Sequence, residues 1–148
     1  MNASIRLIEV LLVEDNETDV LMVQEALRDA KVANRLTVAE NGGMALEMLY
    51  KRGEYSDTPT PDLILLDLNL PGIGGQEVLE TIKNEPSILH IPVVVLTTSS
   101  AEEDISRAYG NFANSYVTKP VGFDQLNDIV QGIEDFWLGI VKLPPRKE

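Results

Sequence analysis

Cysteine is absent from this 148-residue chain, which removes disulfides, zinc–thiolate sites and thiol nucleophiles together. Histidine occurs once, as His90, so there is no imidazole cluster either. Cations are scarce: 12 Lys plus Arg stand against 24 Asp plus Glu, a net charge of −12. Such a chain has no electrostatic reason to seek DNA, RNA or anionic lipid. No apolar run approaches the roughly 18 residues of a membrane span. The start, MNASIRLIEV, lacks the basic segment and small-residue cleavage site of a secretory leader. Repeats, low-complexity tracts and linkers are missing as well. The expectation is a cytoplasmic protein without nucleic-acid or membrane partners. Residues 1–148 should form one domain, a size that suits a single core.

What the chain does contain is alternation. Apolar runs at Ile8–Val13, Leu36–Ala39, Leu63–Leu66, Val93–Leu96 and Ser115–Thr118 read as strands. Two of them, LILL and VVVL, are continuous rather than alternating, as interior strands of a parallel sheet are. Amphipathic helical segments lie between and after them. Val20, Val23, Ala26, Leu27 and Ala30 share one face; Met44, Leu46, Met48 and Leu49 mark a second helix and Val78, Leu79 and Ile82 a third. Ile105, Ala108 and Tyr109 mark a fourth, with Ser100 and Glu103 at capping-box spacing. Leu126, Ile129, Val130, Ile133 and Trp137 mark a fifth. Five β-α repeats call for an α/β fold: a doubly wound, five-stranded parallel sheet, flavodoxin-like, with helices on both faces. The segment Gly53–Pro61 reads as a surface loop, and the tail LPPRKE should stop the last helix and fray.

Right-handed β-α connections send every strand C-terminus to one edge of the sheet, where such folds bind ligands. Those ends carry Glu14-Asp15, Asp67, Thr97-Thr98 and Lys119-Pro120. Three carboxylates, a hydroxyl and an ammonium therefore converge. Crowded carboxylates resist ionisation unless a cation joins them. An all-oxygen donor set indicates Mg²⁺, with Mn²⁺ or Ca²⁺ possible in its place, rather than zinc. Lys119 and the Thr97 hydroxyl would stabilise the oxygens of a transferring phosphoryl group. Asp67 is then the candidate nucleophile, held near the core for in-line attack.

VEDN, DLNLPG, LTTS and TKP, each following a strand and in that order, resemble the receiver domains of two-component response regulators over about residues 8–137. The resemblance implies that Asp67 is the phosphoacceptor. It implies that Glu14 and Asp15 are the acidic pair, Asp15 binding the metal directly and Glu14 through water. Asn69 matches the position whose backbone carbonyl joins the metal. Thr97 and Tyr116 match the switch pair, and Lys119 matches the phosphate-binding lysine, with a cis bond to Pro120. Gly74 departs from the pattern, since many receivers carry an acidic residue there. A narrower resemblance, carried by GEYSDTPTPDLILLDLNLPG, IPVVVLTTS and IEDFWLGIVKLP, is to the small response regulators that pair with bacterial, chiefly cyanobacterial, phytochromes. It implies a phosphohistidine donor on a light-regulated sensor histidine kinase, and a downstream protein partner whose identity is unknown.

Each residue also has a plainer reading. Asp67 alone could cap a loop, Lys119 could be solvated, and Tyr116 could be ordinary edge-strand packing. His90 reads as a surface residue without a role. A Mg²⁺-dependent phosphohydrolase using Asp67 would need a second acid two positions on, where Asn69 stands. A receiver-like binding module that no longer reacts is argued against by the intact Asp15, Asp67, Thr97 and Lys119. A flavin-binding relative would need a phosphate-cradling loop where VEDNETD is acidic. The function expected is thus that of a stand-alone response regulator, a signalling domain rather than an enzyme. Ile133, Phe136, Trp137 and Ile140 continue the apolar stripe into a helical extension from about residue 134. With the face of the fourth and fifth helices, they predict a homodimer.

Overall fold

The computed structural model describes residues 7–146. Strands and helices alternate: β1 (Ile8–Val13), α1 (Glu17–Arg28), β2 (Asn34–Ala39), α2 (Gly42–Leu49), β3 (Leu63–Leu66), α3 (Gly75–Lys83), β4 (Val93–Thr97), α4 (Glu102–Gly110), β5 (Ser115–Thr118) and α5 (Phe123–Glu134). The sheet is wholly parallel, in the order β2-β1-β3-β4-β5. The winding reverses between β1 and β3, whose register pairs Val10 with Leu63 and Val13 with Leu66. That reversal opens the crevice in which doubly wound sheets hold ligands.

Burial on both faces explains the continuous apolar runs. Every residue of β3 is at most 1% exposed, and each such side chain contributes about 1.5–3 kcal/mol by leaving water. Leu11, Val13, Ile64, Leu66, Val93 and Val95 pack with α2 and α3 on one face. Val10, Leu12, Leu63, Leu65, Val94 and Leu96 pack with α1 and α5 on the other. The expected doubly wound fold is thus present, though its details correct several expectations.

The fourth helix is not opened by a Ser100–Glu103 box. Its N-cap position is Ala101, without a side-chain bond. Instead Ser99 Oγ donates to Asp104 Oδ2 at 2.5 Å and accepts from the Ala101 N–H. Tyr109 is 48% exposed rather than part of the core face, because α4 presents little beyond Ala108 to the interior. Ala30 lies past the end of α1, and β2 begins at Asn34. The last helix does not run on unchanged to Trp137: α5 ends at Glu134 and Asp135–Ile140 forms a π-helical turn. The Lys119–Pro120 peptide is trans, the isomer X–Pro bonds favour by about 0.5–1 kcal/mol. His90 is half-buried at the edge of a cavity of about 550 Å³ rather than on the open surface. Finally, the tail is pinned through Arg146, whose guanidinium bonds Asp62 and the Leu7 carbonyl. The opening MNASIR and the closing Lys147 and Glu148 lie outside the described residues.

Candidate functional site

Backbone register builds the site first. The N–H of Asp67 donates to the Val13 carbonyl and that of Glu14 to the Ala39 carbonyl, so both carboxylates emerge at the crevice between β1 and β3. The loop after β3 then folds back. Its Asn69 N–H donates to Asp67 Oδ1 at 3.1 Å, and Gly72 takes a left-handed φ of 71° that suits glycine. At Gly75 a Cβ would stand 2.3 Å from the Asp67 carbonyl oxygen and 2.4 Å from Leu68 Cα. The start of α3 therefore packs directly on the backbone that carries Asp67, which only glycine permits.

Lys119 reaches this crevice from the end of β5, with its backbone N–H bound to the Thr97 carbonyl. Its ammonium donates to Glu14 Oε1 at 2.6 Å, Asp19 Oδ2 at 2.8 Å and Asp67 Oδ2 at 3.3 Å. Glu14, Asp67 and Lys119 are buried, while Asp15 faces solvent. One ligand oxygen each of Glu14, Asp15 and Asp67 lies within 4.8 Å of the others. Burial, and the Asp67 carboxylate beside it, push the Glu14 carboxyl up to about 7 despite its bond to Lys119. Burial pulls Lys119 down, but the hydrogen bonds to Asp19 and Glu14 and the charges of Asp67 and Glu14 outweigh it and hold the ammonium above its usual range. Lys119 therefore stays charged, yet it does not balance the acids around it. This anion excess, with oxygen donors alone, fits a divalent cation of the Mg²⁺, Mn²⁺ or Ca²⁺ kind.

The remaining predicted residues meet at the same edge. The Asn69 amide donates to Thr98 Oγ1 at 3.2 Å and, more weakly, to Thr97 Oγ1 at 3.4 Å. Thr97 is fully buried. The Tyr116 hydroxyl donates to the Ser99 carbonyl at 2.9 Å, tying β5 to the connection that follows Thr97. Burial raises the Tyr116 phenol above its ordinary value. Ile133, Phe136, Trp137 and Ile140 are not brought to this site. Ile133 is 8% exposed and belongs to the α1/α5 core, which corrects its place in the expected interface; Phe136 and Ile140 are exposed.

Sequence reasoning missed Asp19. In the first turn of α1 it reads as an ordinary partner of the helix dipole. The available signal was its position one turn into the helix that leaves the acidic strand end, held by the Asn16 cap. Gly75 was also missed as a positioning residue.

With this geometry in place, comparison with known proteins identifies the class. Residues 10–131 match the response regulator receiver domain, and the chain belongs to that family. Among its relatives is response regulator Rcp1 of Synechocystis sp. (strain ATCC 27184 / PCC 6803 / Kazusa). The two are 47% identical over 135 residues, covering 91% of this chain and 92% of Rcp1. The structure of the phosphorylated cyanobacterial phytochrome response regulator RcpA superposes with a TM-score of 0.92 at 45% identity, covering 95% of this chain and 100% of that one. The Mn²⁺-bound form of Rcp1 gives 0.90 at 46% identity, covering 93% and 99%. Receiver domains serve signalling, and the Mn²⁺-bound relative agrees with the donor set found here. Among the described residues no helix is long and apolar enough to cross a membrane.

Proposed function

We propose that this chain is a phytochrome-paired response regulator that accepts a phosphoryl group on Asp67. The observation that carries the proposal is the position of Asp67, bonded to the buried Lys119 ammonium inside an acidic pocket at the sheet's switch point. A carboxylate oxygen of Asp67 attacks phosphorus while the phosphorus–nitrogen bond of a phosphohistidine breaks. The imidazole leaves with the electron pair and is then protonated by solvent, and an acyl phosphate remains. Lys119 follows the charge onto the phosphoryl oxygens, and the Thr97 hydroxyl and Asn69 amide offer further donors. A divalent cation held by Glu14, Asp15, Asp67 and the Asn69 carbonyl would supply the balancing charge when bound. Tyr116 reports the change through its bond to the segment after Thr97, which shifts a two-state surface elsewhere.

The phosphoryl donor in this reading is a phytochrome-type sensor histidine kinase in the cytoplasm, and output passes to a protein partner. The chain acts as one receiver unit. It turns over no substrate beyond its own phosphorylation and dephosphorylation. Intact mass after incubation with acetyl phosphate tests the central step. One added phosphoryl group is expected, dependent on Mg²⁺ and absent in Asp67→Asn; no gain under any condition overturns the proposal. Homodimerisation through the α4–α5 face and the turn that follows is supported by exposed Phe136 and Ile140, 51% and 71% accessible, beside Trp137. Sedimentation should show a dimer that Trp137→Ala converts to monomer. A monomer for both chains removes this part of the reading.

A further inference from the structure

At the opposite edge of the sheet, where α1 and α5 end, a cavity of about 290 Å³ opens. Ala30, Lys31 and Val32 bound one side, and Glu134, Asp135, Leu138 and Ile140 the other. Glu134 is only 4% exposed, and its Oε2 is buried without a hydrogen-bond partner among the described residues. Burial, followed by the nearby Asp135 and Asp29, pushes its carboxyl above the usual range. Lys31 is exposed at the mouth and makes no ion pair with it among the described residues. An uncompensated buried carboxylate is costly, and proteins ordinarily pair or hydrogen-bond such a group.

Three further features give the cavity a sign and a shape. The last carbonyls of α1 end here, adding the partial negative charge of a helix C-terminus. The chain turns π-helical directly after Glu134, an irregularity found often at functional sites. The walls beside the carboxylate are apolar: Ala30, Val32, Leu138 and Ile140. Beyond Glu134 and the exposed Asp135 these walls add no side-chain oxygens, so a hard metal ion would lack most of the ligands it needs. A cation carried on an alkyl stem satisfies both halves of the site, head against Glu134 and stem along the walls.

We propose that this cavity receives the lysine or arginine side chain of a basic segment on a partner protein, with Glu134 as its buried counter-ion. The partner is basic because it meets a chain of net charge −12.

The test is an amide chemical-shift titration of the full chain with Nα-acetyl-arginine methylamide and Nα-acetyl-lysine methylamide, with the neutral citrulline analogue as control. Saturable shifts are expected at residues 30–32 and 134–140 with one or both cations and not with citrulline. Glu134→Gln should weaken binding at least about tenfold. Glutamine also removes the buried charge, so this variant is expected to fold at least as well. Lys31→Ala should leave binding unchanged or tighter. The proposal fails if neither cation gives saturable shifts, if citrulline reproduces them, or if Glu134→Gln binds equally well. It also fails if binding appears only in Lys31→Ala, because Lys31 would then be the counter-ion in solution.

Discussion

At the strand N-termini Glu9 and Asp62 meet Arg35 and Arg146, while at the strand C-termini Glu14, Asp15, Asp19 and Asp67 share Lys119. Among the described residues the first cluster is matched charge for charge. Arg35 bonds both oxygens of Glu9 at 3.0 and 2.5 Å, and Arg146 bonds both oxygens of Asp62 at 3.1 and 2.7 Å. Asp62 Oδ2 also accepts the Glu9 N–H at 2.8 Å. The second cluster is left with more anions than one ammonium neutralises. Both edges belong to the same sheet, so the fold itself does not require the excess. A balanced cluster joins strands and a tail; an unbalanced one keeps oxygen ligands in excess, as a divalent-cation site does.

The comparison is most severely tested at Lys119. Removing the Lys119 ammonium by Lys119→Ala should destabilise the metal-free protein by about 3–5 kcal/mol, since buried carboxylates lose their counter-charge. Millimolar Mg²⁺ should restore part of that loss, as read by urea unfolding. A loss that Mg²⁺ leaves untouched would break the contrast between the two edges.

A paired replacement comes next in size. Asp62→Asn at the balanced edge should cost about 1.5–3 kcal/mol through weakened charged hydrogen bonds to Arg146. Asp67→Asn at the unbalanced edge should instead stabilise the metal-free protein by about 1 kcal/mol, because it removes one of several repelling carboxylates. Opposite signs sharpen the comparison. Equal losses would mean that both clusters are structural.

The third contrast is in pH dependence. The Glu14 carboxyl, raised from 4.5 to about 7 in the folded protein, favours folding fully below pH 4.5 and loses that contribution as pH rises through 7. Metal-free stability should therefore fall across this window. Glu14→Gln should flatten the slope, and saturating Mg²⁺ should flatten it too, with proton release on binding near pH 7. Lys119, held above its usual range, has the same sign but acts only in the alkaline range. Unfolding midpoints at several pH values, with and without Mg²⁺, provide the measurement. An unchanged slope in Glu14→Gln would place the titration elsewhere.

How much of this was legible beforehand depends on where each residue sits along the chain. Glu14, Asp15, Asp67, Thr97 and Lys119 stand at or just after strand C-termini, so recognising the strands placed them at one edge. Asp19 lies inside a helix and has an adequate local explanation, which concealed its bond to Lys119, 100 positions away. The capping of α4 was misread because Ser99 and Ser100 both offer hydroxyls, and only the path of the chain decides which one meets Asp104. Ile133 looked like interface because its stripe continues past the helix, yet the α1/α5 core takes it in.

By itself, then, the sequence determined the alternation of five strands and five helices and the chemistry offered at the strand C-termini. Both are local properties, set by apolar periodicity and by which residue comes next. Tertiary structure alone decided the strand order, the ligation of Lys119 by Asp19, the burial of Glu134 and the matched cluster at the far edge. That cluster joins Glu9 to Arg35 across 26 positions and Asp62 to Arg146 across 84. Its charges meet only after β1 has paired with β2 and the tail has brought Arg146 to Asp62, and no periodicity within a short window encodes a meeting over that distance.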